Sequence, residues 1–188
     1  MSTLAKLSVA EYDQIVASGV FGGRNKRRIE LIWGELRAMN PIGWEHSNVV
    51  DSLNEWTFAA APREKVRVRV QNPVAFLDSD SEPEPDIVWV KRRLHPANHP
   101  NADDILLLIE VADSSLAFDR GEKANLYATA GIRDYWIVNL IDRTIEVRRD
   151  PQDGHYRSVQ SFGSGTIVEP IAIPEARLSV DSLFVARE

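Results

Sequence analysis

Apolar residues recur at two spacings along the chain, and the switches between them mark its elements. Val9, Tyr12, Ile15 and Val16 repeat at helical spacing behind Ser8 and Glu11, a capping-box pair, and the run stops at Gly19, which predicts a short helix. Arg28–Trp33 and Glu35–Met39 flank Gly34 and predict a hairpin, and Asn40-Pro41-Ile42-Gly43 then breaks the pattern. Between Glu45 and Ala61, Val49, Val50, Leu53, Trp56 and Ala60 fall on one face of a helix that Pro62 ends. Lys65–Val70 alternates strictly, with Val66, Val68 and Val70 on one side and Lys65, Arg67 and Arg69 on the other, as a half-buried strand does. Pro73–Leu77 reads as a further extended segment.

Asp78–Pro85 is acidic and contains proline, so a loop is expected there, leading into a strand over Asp86–Val90. A polar loop over Leu94–Asp104 carries His95 and His99. A strand over Ile105–Val111, a helix over about Arg120–Ala130 and a strand over Tyr135–Asn139 follow; Asp119 and Glu122 suit an Asp-led capping box, and Gly131 closes the helix. Arg143–Arg149 and Tyr156–Ser161 are predicted strands, and Asp181–Ala186 a short terminal helix. A strand–helix–strand unit demands a parallel pair while hairpins supply antiparallel ones, so the order implies an α/β fold with a mixed central sheet flanked by helices, one domain over residues 1–188.

Composition narrows the function classes. The chain has 188 residues, 44% hydrophobic and 27% charged, enough for one substantial core. A net charge of −6 argues against a constitutive nucleic-acid coat protein, although basic runs at Arg24–Arg28, Lys65–Arg69 and Lys91–Arg93 would supply phosphate contacts if they converged. The absence of cysteine excludes disulfides, thiolate metal sites and a cysteine nucleophile. No export signal is evident in the first twenty residues, and the longest apolar runs, Ile105–Ala112 and Tyr135–Ile141, are too short to span a bilayer. A cytoplasmic protein is expected.

The candidate chemistry lies in two acids placed in apolar strands. Asp86 opens a strand after Pro85, and Glu110 sits inside Ile105–Val111, where alternation groups it with Leu108 and Ala112 on one face. A buried unpaired carboxylate costs several kcal/mol or takes up a proton, so each needs a compensating partner: a divalent cation, or a buried lysine such as Lys123. Lys123 shares a helix face with Leu126, Tyr127 and Ala130 and follows the Glu110 strand, so its stem can return the ammonium to that carboxylate. The plain alternatives are a solvated strand-end Glu110, Asp86 as a loop cap and a snorkelling Lys123. Glu30 shares a strand face with Ile32 and is either a partly buried acid or an exposed hairpin residue. His46 fits a phosphate or water contact or a helix cap, and Gln71 is a further candidate for substrate contact.

Ile29-Glu30-Leu31-Ile32-x-Gly34-Glu35, the His46 helix, Pro85-Asp86, Ile109-Glu110-Val111 and Lys123-x-x-x-Tyr127-x-x-x-Gly131 followed by Tyr135-Trp136-Ile137-Val138 together resemble the Uma2 family of restriction-endonuclease-type proteins, over roughly Leu7–Leu183. That family resembles the PD-(D/E)xK nucleases, which implies a restriction-endonuclease-like fold and a Mg²⁺-dependent DNA endonuclease, with Mn²⁺ as a substitute. Asp86 and Glu110 are then the implied metal ligands and Glu30 a further acid of the site. The usual motif has lysine two residues after the glutamate, where this chain has Ala112; the resemblance implies that the role passes to Lys123. Symmetric cutting of a duplex further implies a homodimer. The alternative, favoured by the acidic charge and by Ala112, is an inactive nuclease-fold module that binds DNA or a partner.

Overall fold

The computed structural model describes residues 4–22, 27–93 and 98–184. Helix α1, Val9–Ala17, starts where the pattern places it, with both hydrogen bonds of the Ser8–Glu11 capping box formed. Strands β1 (Ile29–Ile32) and β2 (Glu35–Ala38) pair through a two-residue turn in which Trp33 and Gly34 have φ of 53° and 76°. That turn matches the strand twist, and a Cβ on Gly34 would stand 2.7 Å from Lys6 Cβ. Helix α2 spans Trp44–Ala60.

The central sheet has six strands in the order β3-β4-β5-β6-β7-β8, namely Val66–Val70, Ile87–Lys91, Ile105–Ala112, Asp134–Asn139, Thr144–Gln152 and His155–Phe162. Every neighbouring pair is antiparallel except β5 and β6, which are joined by a helical crossover and run parallel. The mixed α/β sheet expected from the element order is the one present. A small sheet of β9 (Ile167–Val168) and β10 (Leu178–Ser179) follows.

The alternation along β5 decides what lies on each side. Leu107, Ile109 and Val111 face α2, where Val49, Val50 and Leu53 bury beside Trp89 and Trp136. Trp56 stacks on both indoles, at 5.1 and 6.0 Å between ring centroids. Leu108 and Ala112 face the opposite layer, with Ile32, Leu126 and Tyr127. Glu110 shares that second face, where Lys123 and the Tyr127 hydroxyl meet it.

Three expectations change. Pro73–Leu77 is not a strand: Phe76 makes one isolated bridge to Ser81, and Leu77 opens a 3-10 turn over Leu77–Ser79. Asp80, with φ of 43°, folds the chain back too tightly for a ladder to extend. The crossover is helical from α3 (Leu116–Phe118) through a π turn (Asp119–Lys123) into α4 (Ala124–Thr129), so Asp119 lies inside the helical stretch and is no N-cap. Its carboxylate instead accepts a hydrogen bond from the Ser115 hydroxyl (2.6 Å), and burial of Leu116 draws the helix start forward. The terminal helix is a 3-10 turn over Val180–Leu183, and residues 185–188 lie outside the described part, as do His95 and Arg24. Among the described residues, no helix is long and apolar enough to cross a membrane.

Candidate active site

Asp86 occupies the position just before β4, where the antiparallel register brings Ile87 opposite Ile109 and so sets Asp86 beside the C-terminal end of β5. The Val111 N–H donates to Asp86 Oδ2 (2.9 Å) and Gln71 Nε2 donates to Oδ1 (3.1 Å). His46, in the first turn of α2, places Nε2 3.2 Å from Oδ2. Burial alone would raise the Asp86 carboxyl, but the bond and charge of His46, the Val111 N–H and Gln71 outweigh it and hold the carboxyl below its ordinary range. Burial would likewise lower His46, and Asp86 reverses that, raising it. Gln71 holds φ of 48°, an uncommon backbone conformation for a side chain of its size, while its backbone N–H also bonds the Asp86 carbonyl (3.0 Å).

Glu110 lies one residue from that anchor and is 4% exposed. Its Oε1 accepts hydrogen bonds from Lys123 Nζ (3.0 Å) and from the Tyr127 hydroxyl (2.6 Å). Lys123 Nζ also stands 3.2 Å from Glu30 Oε2, so one ammonium bridges β1 and β5. Burial opposes that charge, yet Glu110, Glu30 and Asp119 outweigh it and raise Lys123 above its ordinary range. Glu110 is pushed up to about 8, by burial first; Lys123 pulls the other way, and the charges of Asp119, Asp86 and Glu30 add to the rise. Asp119 is raised to about 6, again mainly by burial.

Asp86, Glu110, Lys123, Glu30, His46 and Asp119 line one cavity of about 290 Å³. Four buried carboxylates face one lysine and one imidazole there. Arg28 and Arg37 also border the cavity but are engaged with Glu84 (3.3 Å) and with Glu35 and Glu122 (3.0 and 2.7 Å). Gln71 reaches the site through Asp86. The basic residues Arg67, Arg69, Lys91 and Arg93 line a different cavity of about 190 Å³ and do not converge on the acids.

Sequence reasoning missed Asp119 and the Tyr127 hydroxyl. Both lie four residues from Lys123, one on each side, so the helical spacing that selected the lysine held the signal for a polar stripe.

The architecture defines a nuclease-like α/β protein. It matches the crystal structure of a putative nuclease belonging to DUF820 from Anabaena variabilis ATCC 29413 with a TM-score of 0.71, at 16% sequence identity, over 95% of this chain and 97% of that one. Residues 9–181 match the Uma2 family, described as "Putative restriction endonuclease", and the chain belongs to that family. No curated protein matches the chain.

Proposed function

We propose that the protein is a divalent-cation-dependent phosphodiesterase that cuts DNA, with Asp86 and Glu110 as the cation's protein ligands. The observation that carries this reading is the gathering of four buried acids in one cavity with Lys123, whose ionised forms a divalent cation would stabilise. The donor set fits. Three hydrogen bonds leave Asp86 one of its four lone-pair sites, and Glu110 Oε2 accepts none of the hydrogen bonds made to Oε1. Oxygen-only donors beside a cavity with room for waters suit Mg²⁺, and Mn²⁺ in its place. Bound there, the cation supplies Lewis-acid activation of the scissile phosphate and a lowered pKa for the attacking water.

The chain's own groups divide the remaining work. Lys123, held charged by three acids, donates to the phosphate oxygen or the attacking water as negative charge develops. Tyr127 fixes the Glu110 carboxylate, and Glu30 keeps the ammonium aimed between β1 and β5. His46 and Gln71 orient Asp86 and are positioning residues. Membership of the Uma2 family supports DNA as the substrate, and Arg28 and Arg37 at the cavity wall suit a phosphate backbone.

Purified protein incubated with supercoiled plasmid and Mg²⁺ or Mn²⁺ should nick or linearise it, and neither chelated protein nor Asp86→Ala should. Equal products from Asp86→Ala would overturn the assignment. Metal-independent DNA binding without cleavage would favour the inactive-module reading, to which the buried Ala112 at the usual lysine position lends support.

A further inference from the structure

A second group of metal-type ligands lies outside the acidic cavity. Asp13 on α1, Glu82 in the connection before β4 and His99 in the loop before β5 each bring one ligand atom within 4.8 Å of the other two. His99 Nε2 stands 3.8 Å from Glu82 Oε1. The three residues come from segments far apart in sequence, so the meeting is made by the fold and not by a local charge run.

Glu82 is the informative member. It is 5% exposed, yet its Oε2 is buried with no hydrogen-bond partner among the described residues. Its backbone is fixed by two hydrogen bonds with Leu31, Leu31 N to Glu82 O (3.3 Å) and Glu82 N to Leu31 O (2.7 Å), so the carboxylate has little freedom to swing to solvent. Burial, then the neighbouring Asp13 and Glu84 charges, push the Glu82 carboxyl up to about 7. A buried acid beside a second acid, with one oxygen unpartnered, is satisfied either by a proton shared with Asp13 or by a cation. A shared proton involves only the two acids, and an ion pair of His99 with Glu82 Oε1 at 3.8 Å leaves Oε2 without a partner; a cation engages all three residues.

We propose that Asp13, Glu82 and His99 form a binding site for a divalent transition-metal ion, with Zn²⁺ the best match. An imidazole nitrogen with two carboxylate oxygens is a donor set for zinc and its neighbours, whereas magnesium takes oxygen alone. Bond lengths of about 2.0–2.2 Å require these ligand atoms to close in by only a few tenths of an ångström to about one ångström. Asp13 and His99 are exposed, so water can complete the coordination. The ion would tie α1 and the His99 loop to the connection that runs through Glu84, whose N–H reaches Glu30 Oε2 (3.4 Å), to Asp86. Its role is a structural clamp behind the acidic cavity.

Zinc titration followed by native mass spectrometry and by thermal unfolding tests this on the intact chain. The parent should bind one more Zn²⁺ than His99→Ala or Asp13→Asn, and its midpoint should rise with zinc concentration while those of the two variants respond at least tenfold more weakly. Magnesium should not substitute. Both positions are exposed, so the variants should fold, and Mg²⁺-dependent plasmid cleavage should persist in each, which separates this site from the phosphodiesterase reading. Equal zinc stoichiometry and equal stabilisation in the parent and both variants would overturn the proposal. So would a parent that zinc leaves unchanged while Asp13→Asn is more stable without metal, the signature of a shared proton alone.

Discussion

Replacing Lys123 with methionine keeps the length of the stem and its apolar contacts but removes the ammonium that stands 3.0 Å from Glu110 and 3.2 Å from Glu30. Truncating one partner of a buried ion pair costs about 3–5 kcal/mol when the orphaned charge stays ionised. Here the orphaned acid has an escape. Glu110 is held at about 8 against its ordinary 4.5 even with Lys123 attracting it, and without the lysine it rises further. Because that folded-state value lies above the unfolded one, the folded protein keeps a proton that the unfolded chain has released, and stability falls as pH rises between 4.5 and about 8. In Lys123→Met the fall extends to higher pH, so the loss relative to the parent is smallest near pH 6 and approaches about 3–5 kcal/mol near pH 9. Urea unfolding of metal-free protein at pH 6, 7.5 and 9 reads this directly. Cleavage should drop by about a hundredfold or more at every pH where the variant is folded, as removal of a preorganised charge-stabilising donor does. A stability difference that does not grow with pH, together with retention of most cleavage, would show that the lysine only packs.

Tyr127→Phe removes the 2.6 Å hydrogen bond to Glu110 without leaving a void, and steady-state cleavage should fall about 10–100-fold with the fold intact by circular dichroism. Asp86→Asn removes the charge that raises His46, so the imidazole titration followed by NMR should move to lower pH than in the parent. Leu53→Ala, at a fully buried position on α2, should cost about 2–5 kcal/mol in chemical denaturation. Light scattering at micromolar concentration should give about twice the 21.2 kDa chain mass; a mass near 21.2 kDa would refute the homodimer.

Periodicity carried most of the fold because each core face repeats faithfully: Leu107, Ile109 and Val111 on one side of β5, Leu108 and Ala112 on the other. It carried the association of Glu110 with Lys123 for the same reason, since a charge that interrupts an apolar face has to be answered from the element packed against it. What it could not carry was three-dimensional closure. Asp119 looked like a cap because an acid followed three residues later by a glutamate is the local signature of one, whereas the helix begins at Leu116, whose burial is decided by the sheet beneath it. Gln71 and His46 meet on Asp86 from segments fifteen and forty residues away, a convergence that depends on the turn around Asp80 and on the antiparallel β3–β4 pairing. The basic runs, whose convergence the sequence left open, divide: Arg28 borders the acidic cavity, whereas Arg67, Arg69 and Lys91 line a separate cavity on the β3 side of the sheet.

The proposed site puts a divalent cation between Asp86 and Glu110, beside Lys123. Anomalous diffraction from crystals soaked in Mn²⁺ tests it most directly. An anomalous peak should lie within about 2.2 Å of an oxygen of each carboxylate and be absent from Asp86→Ala crystals treated alike. Soaked parent crystals with no peak at these two carboxylates, or with an equal peak in Asp86→Ala, would contradict it.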